Sequence, residues 1–330
     1  MKIAFYSALP FEQKWFDLFT GHHQITYIPL PLTIQTAELA TDHGAVCAFV
    51  NDDLSRPVLQ TLKDKGVLVI GMRSVGLDNV DQDVAEELGI TLLQVPGNSP
   101  YSVAEQAVAL LLGMMRHLPE AIRRVQTGNF SIDGLVGNDL HGKVVGIIGT
   151  GRIGKVVARI MQGFGCKIVA YDINHNSALT ESGVKYILLS ELLQQADIIS
   201  IHCSLTPLTD YLINAQSLTA LKPTTMLINT ARGRIVDTEA VLNALDAGKL
   251  AGYAADVYEG ERAYFHYDFS GKTVSDELLN RLRNHPNVLI TAHQGFLTEE
   301  SLEQTARNLL NQFTFYENQQ AVFITKASMC

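Results

Sequence analysis

One stretch restricts the folds open to this chain more than any other: KVVGIIGTGRIGKVVARIMQGFGCKIVAYD, Lys143 to Asp172. An apolar β-type run, Val144 to Ile148, leads into Gly149-Thr150-Gly151-Arg152-Ile153-Gly154. Apolar residues then recur at Ile153, Val156, Val157, Ile160, Met161 and Phe164, the three- and four-residue spacing of one buried helical face. A second apolar run, Lys167 to Tyr171, ends on Asp172, eighteen residues after the last glycine of the turn. Strand, glycine turn, helix, strand and terminal acid in that order predict a dinucleotide-binding βαβ unit.

Each part has a physical task. Gly149 permits the tight turn, Gly151 lets backbone approach a pyrophosphate, and Gly154 lets helix and strand pack closely. The N–H groups and positive dipole end of the helix suit phosphate charge, and Arg152 adds positive potential beside them. Asp172 is placed to accept hydrogen bonds from a ribose diol and to repel a 2′-phosphate, which selects NAD over NADP.

At 330 residues the chain is long enough for two domains, each with its own core. A hydrophobic content of 47% against 18% charged residues is that of a globular protein. The formal charge of −9 and a pI near 5.5, without any basic run, exclude a nucleic-acid-binding surface. Cys47, Cys166, Cys203 and Cys330 are widely separated, so neither a disulfide framework nor a zinc site is expected, and no metal-ligand cluster is visible. The N-terminal run is too short for a secretory signal, and the longest apolar run, Ala107 to Met115, is half a membrane span. A cytoplasmic protein with no membrane partner is expected.

Before the fingerprint lie four β-rich runs, Ile3–Ser7, Val46–Val50, Leu68–Gly71 and Thr91–Val95. Helical patterns at 12–19, 55–65 and 80–88 separate them, and Asp53 and Asn79 are turn or capping residues ahead of the last two. This predicts a smaller parallel α/β domain. Pro96-Gly97-Asn98-Ser99-Pro100 reads as a linker. A long helix follows from about Ser102, with Glu105 completing a capping-box pattern. It is apolar on nearly every side, and a homo-oligomer, most simply a dimer through the helix at 102–116, accounts for that. Beyond the fingerprint, strands are predicted at 197–202, 225–230, 252–257 and 288–292, with helices near 190–195, 214–221 and 238–247 between them, giving about six parallel strands. The helical pattern from Glu299 to Phe315 is too short for a third domain and is expected to return to the first. The fold class is thus α/β, two Rossmann- or flavodoxin-like doubly wound parallel-sheet domains, with 1–98 plus 297–330 as one and 99–296 as the dinucleotide domain.

Ligands of such folds sit at the carboxyl ends of the strands. Three polar residues stand there: Arg232 after MLINTA, Glu261 after the strand ending at Val257, and His293 after VLITA. An arginine can clamp a carboxylate bidentately, a histidine can protonate a developing alkoxide, and a carboxylate beside it favours the imidazolium. The three types suit reduction of a 2-keto acid. His202 also ends a predicted strand, but no carboxylate matches it.

These residues lie within motifs that together carry a resemblance: RSVGLDNVD at 73–81, SVAEQAVALLLGMMR at 102–116, GTGRIG at 149–154, NTARGRIVD at 229–237, DVYEGE at 256–261 and TAHQGFLTEES at 291–301. The chain resembles the D-isomer-specific 2-hydroxyacid dehydrogenase family over nearly its whole length, and within it the D-lactate branch. The resemblance implies that Arg232 binds the keto acid, that His293 and Glu261 form the proton relay, and that the backbone of Val75 and Gly76 holds the substrate carboxylate. It also implies that Phe296 lines the substrate pocket, that Asp256 lies beside the nicotinamide, and that Arg152, Ile153, Asp172, Cys203, Thr230 and Ala231 contact NAD. It places the active site in the cleft between two domains that close over a small 2-keto or 2-hydroxy acid. No metal is needed. The sequence departs from the branch at Asn98, where a tyrosine is usual, while the aromatic stretch of DVYEGERAYFHYD keeps to the lactate and hydroxyisocaproate pattern. A bulkier acid such as 2-ketoisocaproate is the alternative substrate, and an NAD-sensing, corepressor-like binding protein the alternative class.

Overall fold

The computed structural model of the chain describes residues 1–74, 76–95 and 99–327, and side chains as far as residue 319. Two compact units form, Met1–Ser99 with Phe296–Cys330, and Pro100–Gly295.

The first unit alternates β1 (Lys2–Phe5), α1 (Pro10–Phe19), β2 (Gln24–Tyr27), β3 (Ala45–Ala48), α2 (Arg56–Asp64), β4 (Val69–Met72), α3 (Gln82–Glu87) and β5 (Thr91–Gln94). All pairings are parallel, in the order β2-β1-β3-β4-β5, the flavodoxin-like arrangement. Every residue of β3 and β4 is buried, which is why these two read as continuous apolar runs. The sheet has five strands where four β-rich runs are legible. The additional strand, β2, is an edge strand of sequence QITY whose residues alternate between exposed and half-buried, so it lacks the apolar run that marks its neighbours. Asp53 and Asn79 act as turn residues: Asp53 Oδ1 accepts from the Ser55 N–H, and Asn79 Nδ2 donates to the carbonyls of Phe49 and Asp52. The cap of α3 is Asp81, whose carboxylate accepts from the Val84 N–H at 3.2 Å.

The second unit runs through α4 (Pro100–Met115), α5 (Leu118–Gln126), β6 (Val144–Ile148), α6 (Gly154–Gly163), β7 (Lys167–Tyr171), α7 (Ser177–Glu181), β8 (Lys185–Tyr186), α8 (Leu189–Gln195), β9 (Ile198–Ile201), α9 (Ala215–Leu218), β10 (Met226–Asn229), α10 (Thr238–Asp246), β11 (Gly252–Ala255), α11 (Glu277–Asn284) and β12 (Val288–Ile290). The parallel order β12-β11-β10-β9-β6-β7-β8 is that of a doubly wound nucleotide-binding sheet whose direction of winding reverses between β6 and β9. It has seven strands rather than about six, because the two-residue β8 is too short to show a period.

The first helix of this unit differs from expectation in two ways. It begins at Pro100, whose fixed φ suits a first helical position, so Ser102 already lies inside the first turn and the capping box with Glu105 is not the start signal. Its apolar character is also answered within its own unit. Ala104, Ala107, Leu111 and Met115 are buried in one cluster with Val145, Ile147, Val157 and Ala254. Large apolar side chains are exposed instead just beyond it, at Leu118, Ile122 and Val125 on α5 and at Phe130, Ile132 and Val136 after it.

The last helix, α12 (Glu299–Ala327), belongs to the first unit and is longer than the 299–315 pattern. Ala306, Leu309, Leu310 and Phe313 are buried with Ile3, Phe5, Phe16 and Val69. Gly71 in β4 makes room for it, since a Cβ there would lie 2.5 Å from Phe313 Cζ. Among the described residues no helix is long and apolar enough to cross a membrane.

Candidate active site

The glycine turn after β6 is built as its spacing requires. Gly149 has φ +91°, and a Cβ on it would meet the Cys203 backbone nitrogen at 2.5 Å. A Cβ on Gly154 would lie 1.9 Å from the Gly149 carbonyl oxygen, so the start of α6 closes directly onto the turn. A Cβ on Gly151 would meet nothing within 4 Å. The outer two glycines are therefore demanded by the chain's own packing. The middle one is not, and the bare backbone over it is what the close approach of a pyrophosphate needs. Arg152 and Ile153 complete the turn and lead into α6, whose N-terminal dipole favours an anion.

Asp172 stands at the end of β7. Its Oδ2 accepts from the Thr150 N–H at 2.6 Å and the Thr150 hydroxyl at 3.1 Å, and its Oδ1 accepts from the Asn174 N–H at 2.9 Å. Partial burial favours the neutral acid, but the hydrogen bonds from Asn174 and Thr150 outweigh it and hold the carboxyl below the usual range. Tyr186, on β8, donates to the Thr150 hydroxyl at 2.9 Å and stacks on His175 at 4.1 Å. The strand that sequence reasoning missed thus supports the residue it singled out.

The next strand ends carry the other expected cofactor positions. Cys203 follows β9, and burial pushes its thiol up to about 11, so it is a neutral group at physiological pH. His202 beside it is pushed down to about 3 by burial; its Nε2 lies 2.7 Å from Ser200 Oγ, and Nδ1 is buried without a partner among the described residues. This imidazole is uncharged and held by the chain. Thr230, after β10, has a buried hydroxyl with no hydrogen-bond partner among the described residues, a polar group that a ligand there would satisfy.

After β12 the chain turns sharply at His293, which has φ +51°. Its Nδ1 lies 2.6 Å from Glu261 Oε1, and both side chains are 15% exposed. Glu261 is fixed in turn, because its Oε2 accepts from the Tyr258 N–H at 2.8 Å. The loop bearing His293 is wound around Asp256. This carboxylate, 1% exposed, accepts from the Thr291 hydroxyl and from the N–H groups of Gln294 and Gly295 at 3.0 and 2.7 Å, while the His293 N–H donates to the Asp256 carbonyl at 2.7 Å. Asp256 is thus a brace for the histidine loop as well as a strand-end residue. His266 was not singled out by sequence, yet its Nε2 lies 3.2 Å from the His293 carbonyl oxygen.

Arg232 follows Thr230 and Ala231 in extended backbone (φ −140°). Asn229 Nδ2 donates to its carbonyl at 2.9 Å, and Asn229 Oδ1 accepts from the Ala231 N–H at 3.0 Å. One guanidinium nitrogen donates to the Ala231 carbonyl at 2.8 Å. The next residue, Gly233, is a second feature that pattern reading missed. A Cβ on it would lie 2.1 Å from the Tyr258 carbonyl carbon, so the loop carrying Arg232 packs backbone to backbone against the loop that leads to Glu261. The NTARG run contains the signal, but only the partner across the contact gives it meaning. Arg232, Glu261 and His293 are thus held on three strand ends of one sheet.

Of the residues expected from the first unit, Val75 and Asn98 lie outside the described residues. Gly76 is half-buried, and its carbonyl accepts from the Ser74 hydroxyl at 2.9 Å. Phe296 packs edge-on against Phe49, with ring centroids 5.9 Å apart. The start of this loop is anchored by Arg73, a residue of RSVGLDNVD to which no role was assigned. It is 2% exposed, pairs with Glu12 at 3.0 Å, donates to the carbonyls of Tyr6 and Ser7, and lies over the Phe5 ring.

A doubly wound sheet with a glycine turn at its winding reversal, a ribose-competent acid on the next strand and an Arg, Glu and His on later strand ends defines a nicotinamide-dinucleotide dehydrogenase class. Residues 108–295 match the family model of the D-isomer specific 2-hydroxyacid dehydrogenase, NAD binding domain. The chain is 45% identical to 2-hydroxyacid dehydrogenase A of Aspergillus oryzae, over 93% of this chain and 89% of that one. Among solved structures it is similar to the apo form of D-lactate dehydrogenase from Escherichia coli, with a TM-score of 0.88, 37% identity and 97% and 98% of the two chains covered. It is also similar to the NAD-complexed D-isomer specific 2-hydroxyacid dehydrogenase of Lactobacillus delbrueckii ssp. bulgaricus, with a TM-score of 0.77, 32% identity and 96% and 98% covered. The chain belongs to the D-isomer-specific 2-hydroxyacid dehydrogenase family and carries that family's NAD-binding domain.

Proposed function

We propose that the chain is an NADH-dependent reductase of a small 2-keto acid, converting pyruvate to D-lactate and running in reverse when lactate and NAD are in excess. The observation that carries the reading is the His293–Glu261 pair at 2.6 Å, held in the same unit as the glycine turn and Arg232. Likeness to the Escherichia coli D-lactate dehydrogenase supports pyruvate as the substrate.

Bound NADH supplies a hydride to the carbonyl carbon. The chain's residues do the rest. Glu261 occupies Nδ1 of His293, so proton donation to the carbonyl oxygen falls to Nε2, and the carboxylate stabilises the imidazolium that must be present before the proton leaves. Arg232 takes the substrate carboxylate in its planar fork and fixes the angle at which the carbonyl is presented. Val75 and Gly76 add backbone N–H groups to that carboxylate, and Phe296 lines the pocket for the substrate's small side chain. On the cofactor side, Gly149, Gly151, Arg152, Ile153 and Gly154 hold the pyrophosphate. Asp172 takes the adenosine ribose, and Cys203, Thr230, Ala231 and Asp256 contact the rest of NAD. Because Asp172 is held ionised, a 2′-phosphate beside it is repelled, and NADH is preferred to NADPH.

Loss of NADH absorbance with pyruvate and with 2-ketoisocaproate at equal concentration, repeated with NADPH, tests the reading. The expected result is a higher kcat/KM for pyruvate than for the branched acid, and for NADH than for NADPH. A higher value on 2-ketoisocaproate would assign the bulkier substrate, and no oxidation with any 2-keto acid would leave the binding-protein reading. The apolar side chains on α5 and after it, Leu118, Ile122, Val125, Phe130, Ile132 and Val136, support a homodimer that covers them. Light scattering should therefore give twice the mass of one chain, and a monomeric mass at micromolar concentration would refute it.

A further inference from the structure

The turn before β2 and the last helix meet at a group of side chains that the reaction does not use. His23 is buried, its side chain 1% exposed, and its Nε2 lies 2.9 Å from Thr314 Oγ1 on α12. The Thr314 hydroxyl has one proton and donates it to the Leu310 carbonyl at 3.0 Å. It can therefore only accept from His23, which places the imidazole proton on Nε2 and leaves a lone pair on Nδ1. That lone pair faces Glu317, whose Oε2 is 3.9 Å away, and the Met1 nitrogen at 3.2 Å. The partly exposed His22 brings its Nε2 to 2.6 Å from the same Oε2. The donor atoms of His22, His23 and Glu317 lie within 4.8 Å of one another.

We propose that Nε2 of His22, Nδ1 of His23 and a carboxylate oxygen of Glu317 form a binding site for a borderline divalent transition metal, with Zn²⁺ as its reference ion. Two imidazoles and one carboxylate are a zinc donor set, and bonds of about 2.0–2.2 Å require ligand atoms roughly 3.3–3.5 Å apart, within the span already present. His22 and Glu317 are exposed enough to adjust to that geometry, while His23 is the fixed member. A ligating histidine whose other ring nitrogen is hydrogen-bonded is the usual arrangement, and the Thr314 contact supplies it in advance. The Met1 ammonium, 2.9 Å from Glu317 Oε1, is the positive group now beside these donors, and the metal takes over the Nδ1 lone pair it faces. Hard cations that demand a shell of oxygens are poorly served by two imidazoles, so Mg²⁺ is excluded by the donor set. Bound metal joins positions 22 and 317, 295 residues apart in sequence, and so staples α12 to the first sheet of its own unit. The metal binds only the folded unit, so it raises thermal stability without entering the reaction. The spacing rules of sequence reading cannot see such a site, because Glu317 joins the histidines only through the fold.

The test is calorimetric titration of the full chain, with Met1 as its first residue, against Zn²⁺ after chelator treatment. His22→Ala and Glu317→Gln serve as comparisons, since both positions are exposed enough to vary without emptying the core. The expected result is one equivalent bound by the parent and an affinity lower by on the order of tenfold or more in each variant. Zn²⁺ should raise Tm more in the parent than in either variant, and the visible d–d absorption of added Co²⁺ should be weakened in Glu317→Gln. Turnover of the 2-keto acid is expected to be unchanged in both variants, which separates this site from the reading of the reaction. Equal Zn²⁺ affinity in parent and His22→Ala, no binding by the parent, or equal displacement by Mg²⁺ would each overturn the proposal.

Discussion

His293→Ala is expected to turn over the 2-keto acid about 10²- to 10⁴-fold more slowly than the parent while binding NADH with unchanged affinity. The drop belongs in kcat because the proton reaches the carbonyl oxygen only as charge develops there. The fold is not at stake in this replacement. Position 293 has φ +51°, a conformation that costs roughly 1–2 kcal/mol for alanine as it already does for histidine. The loop is held through backbone groups, the N–H groups of residues 293, 294 and 295 on Asp256, and all of them survive. Glu261→Gln is the companion. An amide oxygen can still accept from Nδ1–H and keep the ring oriented, but the charge that stabilises the imidazolium is gone. Reduction should therefore be slower than in the parent while NADH affinity is kept. Stopped-flow NADH oxidation and fluorescence titration of NADH give the two readouts. A His293→Ala protein with the parent's kcat would remove the histidine from the reaction.

What could be read from the sequence, and what could not, divides along a physical line. The buried strands of both units appear as apolar runs because parallel sheets are covered on both faces. The glycine turn is legible because its three glycines, strand and helix are contiguous in one βαβ segment, although the contact that forces Gly149 comes from Cys203, after β9. β2 and β8 escape detection because one is a half-exposed edge and the other is two residues long. The start of α4 is misread because Ser102 and Glu105 carry a capping pattern inside a helix that Pro100 has already begun. Its apolar surface suggests a partner subunit, but α6 and the sheet of its own unit cover most of it. At the site, residue type and strand-end position are enough to single out Arg232, Glu261 and His293. The residues that hold them, Gly233 against Tyr258, Asp256 beneath the histidine loop and Arg73 against Glu12, act through contacts that only the folded chain creates. No periodicity encodes them.

Arg232→Lys tests the other half of the site, and its kcat/KM for the 2-keto acid is expected to fall by about two to three orders of magnitude, or roughly 3–4 kcal/mol. The substitution keeps the positive charge, so simple attraction of a carboxylate survives. What it removes is the fork. In the parent one guanidinium nitrogen is tied to the Ala231 carbonyl at 2.8 Å, which fixes the plane of the group. An ammonium has no plane to fix and rotates about a flexible stem. If Arg232 only binds, the loss falls on KM with kcat preserved. If it also sets the angle of the carbonyl to the hydride donor, kcat falls as well, because a misplacement on the order of 1 Å can cost about a hundredfold in rate. The bracing of position 232 by Asn229 and by the close Gly233–Tyr258 contact argues for the second outcome, since a group used for charge alone would not need its backbone held from both sides. Steady-state rates across a range of pyruvate concentrations at saturating NADH separate the two. An Arg232→Lys protein with the parent's kcat/KM would show that the substrate carboxylate is held elsewhere.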